Sequence, residues 1–243
     1  MTPLLLFVIG LAVGVVLDTL AVWLAVPGEE EDAAEGPGAS EAPSPARADL
    51  AAESGALTIP LSSETARLWW RIAIIGVTGA AFAAAGARYD EPSHLALVSA
   101  YIAVLLLCSA TDIMAYRVPN VVTYPAILLA LGAGALMPDA DLARVLGGGA
   151  LAGGIMLAPT LVTRGKGLGM GDVKLAAFVG LALGLSLTLT ALLVMALAGG
   201  AVAAILMLSG LRHRGDPIPY APFISAGALA VMLWQGVAFH SLT

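Results

Sequence analysis

Charge is what this sequence has least of. Only 12% of its 243 residues are Asp, Glu, Lys or Arg, against roughly 25% in soluble domains. With 59% hydrophobic residues and a mean hydropathy of +0.93, a soluble globular class is excluded. Cysteine is nearly absent too. Cys108 stands alone, which rules out an intrachain disulfide and a cysteine-built zinc site, and its apolar setting makes it a small packing residue. Histidine is sparse: His94, His213 and His240 are scattered, with no His-Glu-x-x-His pattern for a zinc protease. No Gly-x-Ser-x-Gly elbow, P-loop or dinucleotide fingerprint occurs. Neither a metal nor another cofactor is expected, and no nucleic-acid partner.

What the sequence does have is long apolar runs. Stretches of about 18 or more such residues can cross a bilayer core of ~30 Å as helices, and lipid leaves the backbone little alternative. Eight are read, at about 3–26, 68–88, 94–111, 121–137, 141–163, 173–188, 189–211 and 221–240. The fold class expected is therefore all-α, a polytopic membrane protein of about eight transmembrane helices. The first run has no cationic start and stays apolar beyond the roughly 7–15 residues of a signal-peptide core, so it reads as a retained helix (residues 1–26).

Residues 27–67 differ in kind. They carry nine acids and two arginines, net −7, amid Pro, Ser, Gly and Ala, a disordered-linker composition. Residues 68–243 then form a seven-helix body. If the helices alternate, the loops after helices 1, 3, 5 and 7, with adjacent helix ends, hold nine basic residues. The opposite side holds Arg88 and Arg144 alone. The positive-inside rule puts the nine in the cytoplasm and both termini outside.

On this map Asp90, Glu91, Asp139 and Asp141 are solvated in external loops. Asp112 ends helix 3 in "LLLCSATDIMAYRVPN" and Asp172 opens helix 6 in "KGLGMGDVKL", both at the cytoplasmic boundary although 60 residues apart. Each has a plain structural reading: Asp172 as a helix N-cap, Asp112 as a boundary acid beside Arg117. Taken together they suit a catalytic pair. Carboxyls brought within about 5 Å do not both ionise cheaply, so one keeps a proton near neutral pH. The charged one activates water while its protonated partner donates to a peptide carbonyl. Gly169 and Gly171 would allow close backbone approach beside them.

These residues resemble the type IV prepilin peptidases, membrane aspartyl proteases of the Gly-x-Gly-Asp class. The resemblance rests on Asp112 followed by Pro119-Asn120, on Gly169-Met170-Gly171-Asp172-Val173-Lys174-Leu175, and on the Pro-rich "PIPYAPF" before the last helix. It covers about 100–240. It implies Asp112 and Asp172 as catalytic residues, with Gly169, Gly171, Lys174 and Asn120 as substrate-binding or supporting ones; Lys174 also reads as a positive-inside lysine and Asn120 as an N-cap. The implied partners are the lipid bilayer and a type IV pilin or pseudopilin precursor. That precursor has a short basic leader, a glycine before the cut and an apolar helix after it. The implied setting is the bacterial inner membrane, with cleavage at its cytoplasmic side.

The first helix matches less closely. Asp18 stands where the family has Asn, roughly 12 Å inside the cytoplasmic end at 1.5 Å per residue, and the basic residue usual just downstream is missing. An acid at that depth is by default functional, and the expectation here is a neutral, hydrogen-bonded carboxyl. Long family members carry paired Cys-x-x-Cys zinc ligands between helices 1 and 2, associated with N-methylation of the trimmed product. This chain has the acidic, Cys-free linker there instead. The chief rival is a proton- or ion-coupled transporter using intramembrane acids such as Asp18.

Overall fold

The computed structural model describes residues 3–25, 64–162, 169–210 and 218–241. Most of the acidic linker, and with it Lys166, Arg164 and His213, lies outside the described residues. The elements are α1 (Pro3–Ala25), α2 (Glu64–Gly86), α3 (Pro92–Ala115), α4 (Asn120–Leu136), α5 (Leu142–Val162), α6 (Met170–Leu208) and α7 (Ala221–Trp234), followed by a hairpin of β1 (Gly236–Val237) and β2 (His240–Ser241). By length and composition α1, α2, α3, α5 and α6 suffice to cross a membrane, while α4 and α7 are shorter apolar helices.

Three boundaries depart from expectation. α2 begins at Glu64, inside the segment read as linker. The break expected near 188 falls at Gly184, where φ is +71° and the two halves of α6 change direction. Leu, Ala and Gly run unbroken on both sides, so composition offers no marker; the left-handed backbone that only glycine adopts freely makes the corner. One carbonyl freed there is taken up from afar, since the Ala238 amide donates to Ala182 O at 2.9 Å. The last apolar run stops being helical at Trp234, and the chain turns through Gly236 (φ +111°) into the hairpin.

Small residues set which helices touch. A Cβ on Gly10 would lie 2.8 Å from Gly79 Cα, and one on Gly14 2.8 Å from Ile75 Cα, so α1 and α2 pack backbone to backbone. α5 and α6 approach closer still: a Cβ on Gly148 would meet the Gly180 carbonyl at 2.2 Å, and the converse holds. Without a hydrophobic drive between helices in lipid, such small-residue contacts carry association. Aromatic residues gather at the opposite end of α3 from Asp112, with His94 against Phe239 and His240, and Tyr89 against His240. The Tyr89 hydroxyl donates to the Met232 carbonyl, and burial pushes that phenol well above its ordinary range. From His94 to Asp112 the helix rises about 27 Å, so clasp and acid mark two ends of the bundle.

Candidate active site

Asp112 reaches its position because α3 is stopped just beyond it. Tyr116 takes the left-handed conformation (φ +51°) and its amide bonds back to the Asp112 carbonyl at 2.8 Å. A non-glycine residue pays about 1–2 kcal/mol to sit there, and the turn folds Val118-Pro119 back toward the bundle. The Asp112 side chain, 5% exposed, accepts the Ala221 amide on Oδ2 at 2.9 Å, with the Tyr220 amide beside it. These are free N–H groups at the start of α7, which a helix N-terminus leaves for an anionic or polar acceptor. Pro222 in the first turn has no N–H to leave over.

Asp172 is buried to 8% exposure on the first turn of α6. It is not the N-cap. Gly169 holds that position without a side-chain cap bond, and Asp172 stands three residues on, with the Gly169 backbone as partner of its carboxyl. Its Oδ1 is buried without a hydrogen-bond partner among the described residues. Gly171 fixes the approach: a Cβ there would lie 2.9 Å from Val118 Cβ, so the α6 start packs directly on the turn after α3.

The two carboxyls therefore converge. Asp112 acts electrostatically on Asp172, and both act on buried Cys108 one turn back on α3. Like charges this near favour division of labour between an acid and a base. One unpartnered, inward carboxylate oxygen beside a hydrogen-bonded acid leaves room for a water or a peptide carbonyl.

The supporting residues separate into two places. Lys174 Nζ donates to Asn120 Oδ1 at 2.8 Å and sits 4.9 Å over the Tyr124 ring. This pair ties α6 to α4 on the flank of the site. Asn120 is not a cap, since Pro119 occupies the N-cap position of α4. Asp18 lies elsewhere, between α1 and α2, 4% exposed. Its carboxyl has a partner from α2: Arg71 Nε lies 2.9 Å from its Oδ2. Arg71 thus supplies, from 53 positions away, the positive charge missing just after Asp18. Nothing in the local sequence signals that pairing, nor the role of the Tyr220-Ala221 amides beyond the Pro-rich approach to α7. Among the described residues, no three His, Cys, Asp or Glu side chains lie close enough to share a metal ion.

Comparison with known proteins bears on this geometry. Residues 99–204, which contain both aspartates, match the type IV leader peptidase family. The chain is 32% identical over 159 residues to a prepilin leader peptidase/N-methyltransferase of Bacillus subtilis (strain 168), covering 65% of this chain and 63% of that protein. It is also 32% identical over 179 residues to a protein of the same name from Burkholderia pseudomallei (strain 1026b), covering 71% and 57%. The chain thus spans less than two thirds of the length of these relatives. No solved structure matches it.

Proposed function

Because residues 99–204 match the type IV leader peptidase family, we propose that the chain belongs to it and is an aspartic endopeptidase cutting the basic leader from type IV pilin or pseudopilin precursors. The observation that carries this reading is the convergence of Asp112 and Asp172 from two helices 60 residues apart. One carboxylate activates a water, and its protonated partner donates to the scissile carbonyl. The α7 amides on Asp112 hold one acid in a fixed orientation, as positioned catalytic groups require. We place the cut at the cytoplasmic boundary of a bacterial inner membrane, from the charge asymmetry of the loops.

The reading is confined to peptide cleavage. The relatives are also named N-methyltransferases, but the interval between the first two helices is free of cysteine here, so methyl transfer is not part of the proposal. Transport through Asp18 has less support, since that acid has a fixed counterion in Arg71. Incubating the purified, reconstituted protein with a pilin-like precursor and measuring product mass tests the proposal. A product shortened by the leader, ending after its glycine, is expected. An uncut precursor under conditions where the protein stays folded would overturn it.

A further inference from the structure

Near the end of α1 and the start of α2, a cavity of about 450 Å³ lies among Asp18 of α1, Arg67, Trp70 and Arg71 of α2, and Met114 of α3. Arg67 and Arg71 stand one helical turn apart and so share a face. Both are exposed, Arg71 by 56%. Buried Asp18 engages Arg71 through Nε, which leaves the Nη side of the guanidinium fork to meet a second acceptor. Two cations against one acid give the cavity a net positive charge. It therefore attracts anions and repels a basic peptide.

Trp70 also lines a second cavity, of about 280 Å³, together with Val77 of α2, Ile113 of α3 and Leu229 of α7. Apart from the indole, its polar side chains are Ser109 and Ser225. Both hydroxyls donate to the Leu105 carbonyl, at 2.8 and 3.0 Å, so they are already satisfied and the groove behaves as apolar. From Trp70 to Val77 it runs about 10 Å, which gives a volume of about 280 Å³ a mean cross-section of roughly 28 Å². A helix 10 Å across fills about 80 Å². The groove has the width of one hydrocarbon chain, and a guest helix is too wide for it.

A cationic head site, an indole and a hydrocarbon slot thus follow one another. Indoles settle at the membrane–water interface, and two more stand at this end of the bundle: Trp23 and Trp69, 72% and 69% exposed. We propose that the paired cavities bind one anionic phospholipid, with its phosphate on Arg67 and Arg71, its glycerol beside Trp70 and one acyl chain in the groove between α2, α3 and α7. Basic pockets between membrane helices take anionic headgroups, and the adjoining slot distinguishes a lipid from a free phosphate. Binding of this lipid requires no cleavage and stands apart from the peptidase reading.

The test gives full-length protein, in phosphatidylcholine bilayers, a phosphatidylglycerol with a photoreactive group on its acyl chain, and maps the labelled residues by mass spectrometry. Label should concentrate at Val77 and Leu229, above Leu128 and Leu197, which are exposed on α4 and α6. Unlabelled phosphatidylglycerol should compete it away, whereas added phosphatidylcholine or soluble glycerol phosphate should not. Arg67→Gln should weaken binding about fivefold, the worth of one basic side chain beside an anionic headgroup, and Arg67→Lys should recover most of it. Arg144→Gln, in the cavity with Phe239 and His240 at the other end of the bundle, should change nothing. Ala226→Trp fills the slot from its exposed side and should abolish label at Val77 and Leu229. Equal labelling by the same chain on phosphatidylcholine, or label spread evenly over α4 and α6, would show annular lipid only and overturn the site. Competition by glycerol phosphate would leave a phosphate site without a tail, and displacement by a synthetic apolar helix would give the groove to a peptide. Either result overturns the lipid.

Discussion

Asp112 and Asp172 differ in their surroundings as well as their helices. Asp112 is tethered to the α7 amides, whereas Asp172 keeps a buried oxygen unpartnered. Asparagine preserves the shape of either side chain but neither takes nor releases the proton, so Asp112→Asn or Asp172→Asn should lower cleavage by at least about 10²-fold. Circular dichroism and elution in detergent should match the parent; substantial turnover by either variant would remove the paired-acid mechanism. Asp18 makes a different test. Arg71→Ala leaves its carboxyl buried without a counterion, and Asp18→Asn in the same chain should relieve that penalty. Because Arg71 is 56% exposed, the coupling in a double-mutant cycle should be nearer ~1 kcal/mol than the ~3–5 kcal/mol of breaking a fully buried pair. Strictly additive melting shifts would mean the ion pair contributes nothing.

At the scale of elements, the proposed catalysis would depend on how the start of α6 seats against the turn after α3. Gly171 is the point of contact, with Val118 2.9 Å from where a Cβ would stand. Gly171→Ala should push the Asp172 turn outward by a few tenths of an ångström. Displacements of that order at a catalytic group cost about tenfold in rate, given ~10²-fold for 1 Å. Val118→Gly removes the opposing Cβ and should restore most of the loss. A Gly171→Ala enzyme of parental rate would show that the contact does not position Asp172. That contact was half legible: the Gly-x-Gly pattern announced a close approach, but the partner, Val118, lies 53 positions upstream. The break at Gly184 was not legible at all, because its cause is one backbone angle within an evenly apolar run.

For the whole molecule, the charge asymmetry gives an orientation that can be measured. Cysteines introduced at Ser44 and Arg164 should react only with reagent added from the cytoplasm, and ones at Glu91 and Asp139 only from outside; native Cys108 is buried and should stay silent. Labelling of positions 44 and 91 from the same side would break the topology, and with it the placement of the carboxyls at the cytoplasmic face. A segment of net −7 attracts a basic leader through its field. At physiological ionic strength the Debye length is only ~8 Å. Deleting Glu30 to Glu53 should therefore leave kcat nearly unchanged and raise KM modestly at low salt alone. A large fall in kcat in a folded deletion would assign the linker a part in the active site.

The sequence by itself determined the class of molecule and pointed to the paired acids that carry the proposed chemistry. Apolar runs in lipid can only be helices, since no solvent there satisfies an open backbone. Two acids, one closing a helix and the other opening one, were visible as letters with their neighbours. Only the tertiary structure decided what each acid touches. Asp112 takes its partners from α7, more than a hundred residues on, and Asp18 takes its counterion from α2. The apolar groove lined by Trp70, Ile113 and Pro222 is walled by three helices, none of which contains it alone. Hydrogen bonds, ion pairs and cavities are set by distances in space, and a lipid-facing helix that is apolar on every side carries little periodicity to say which face meets which neighbour.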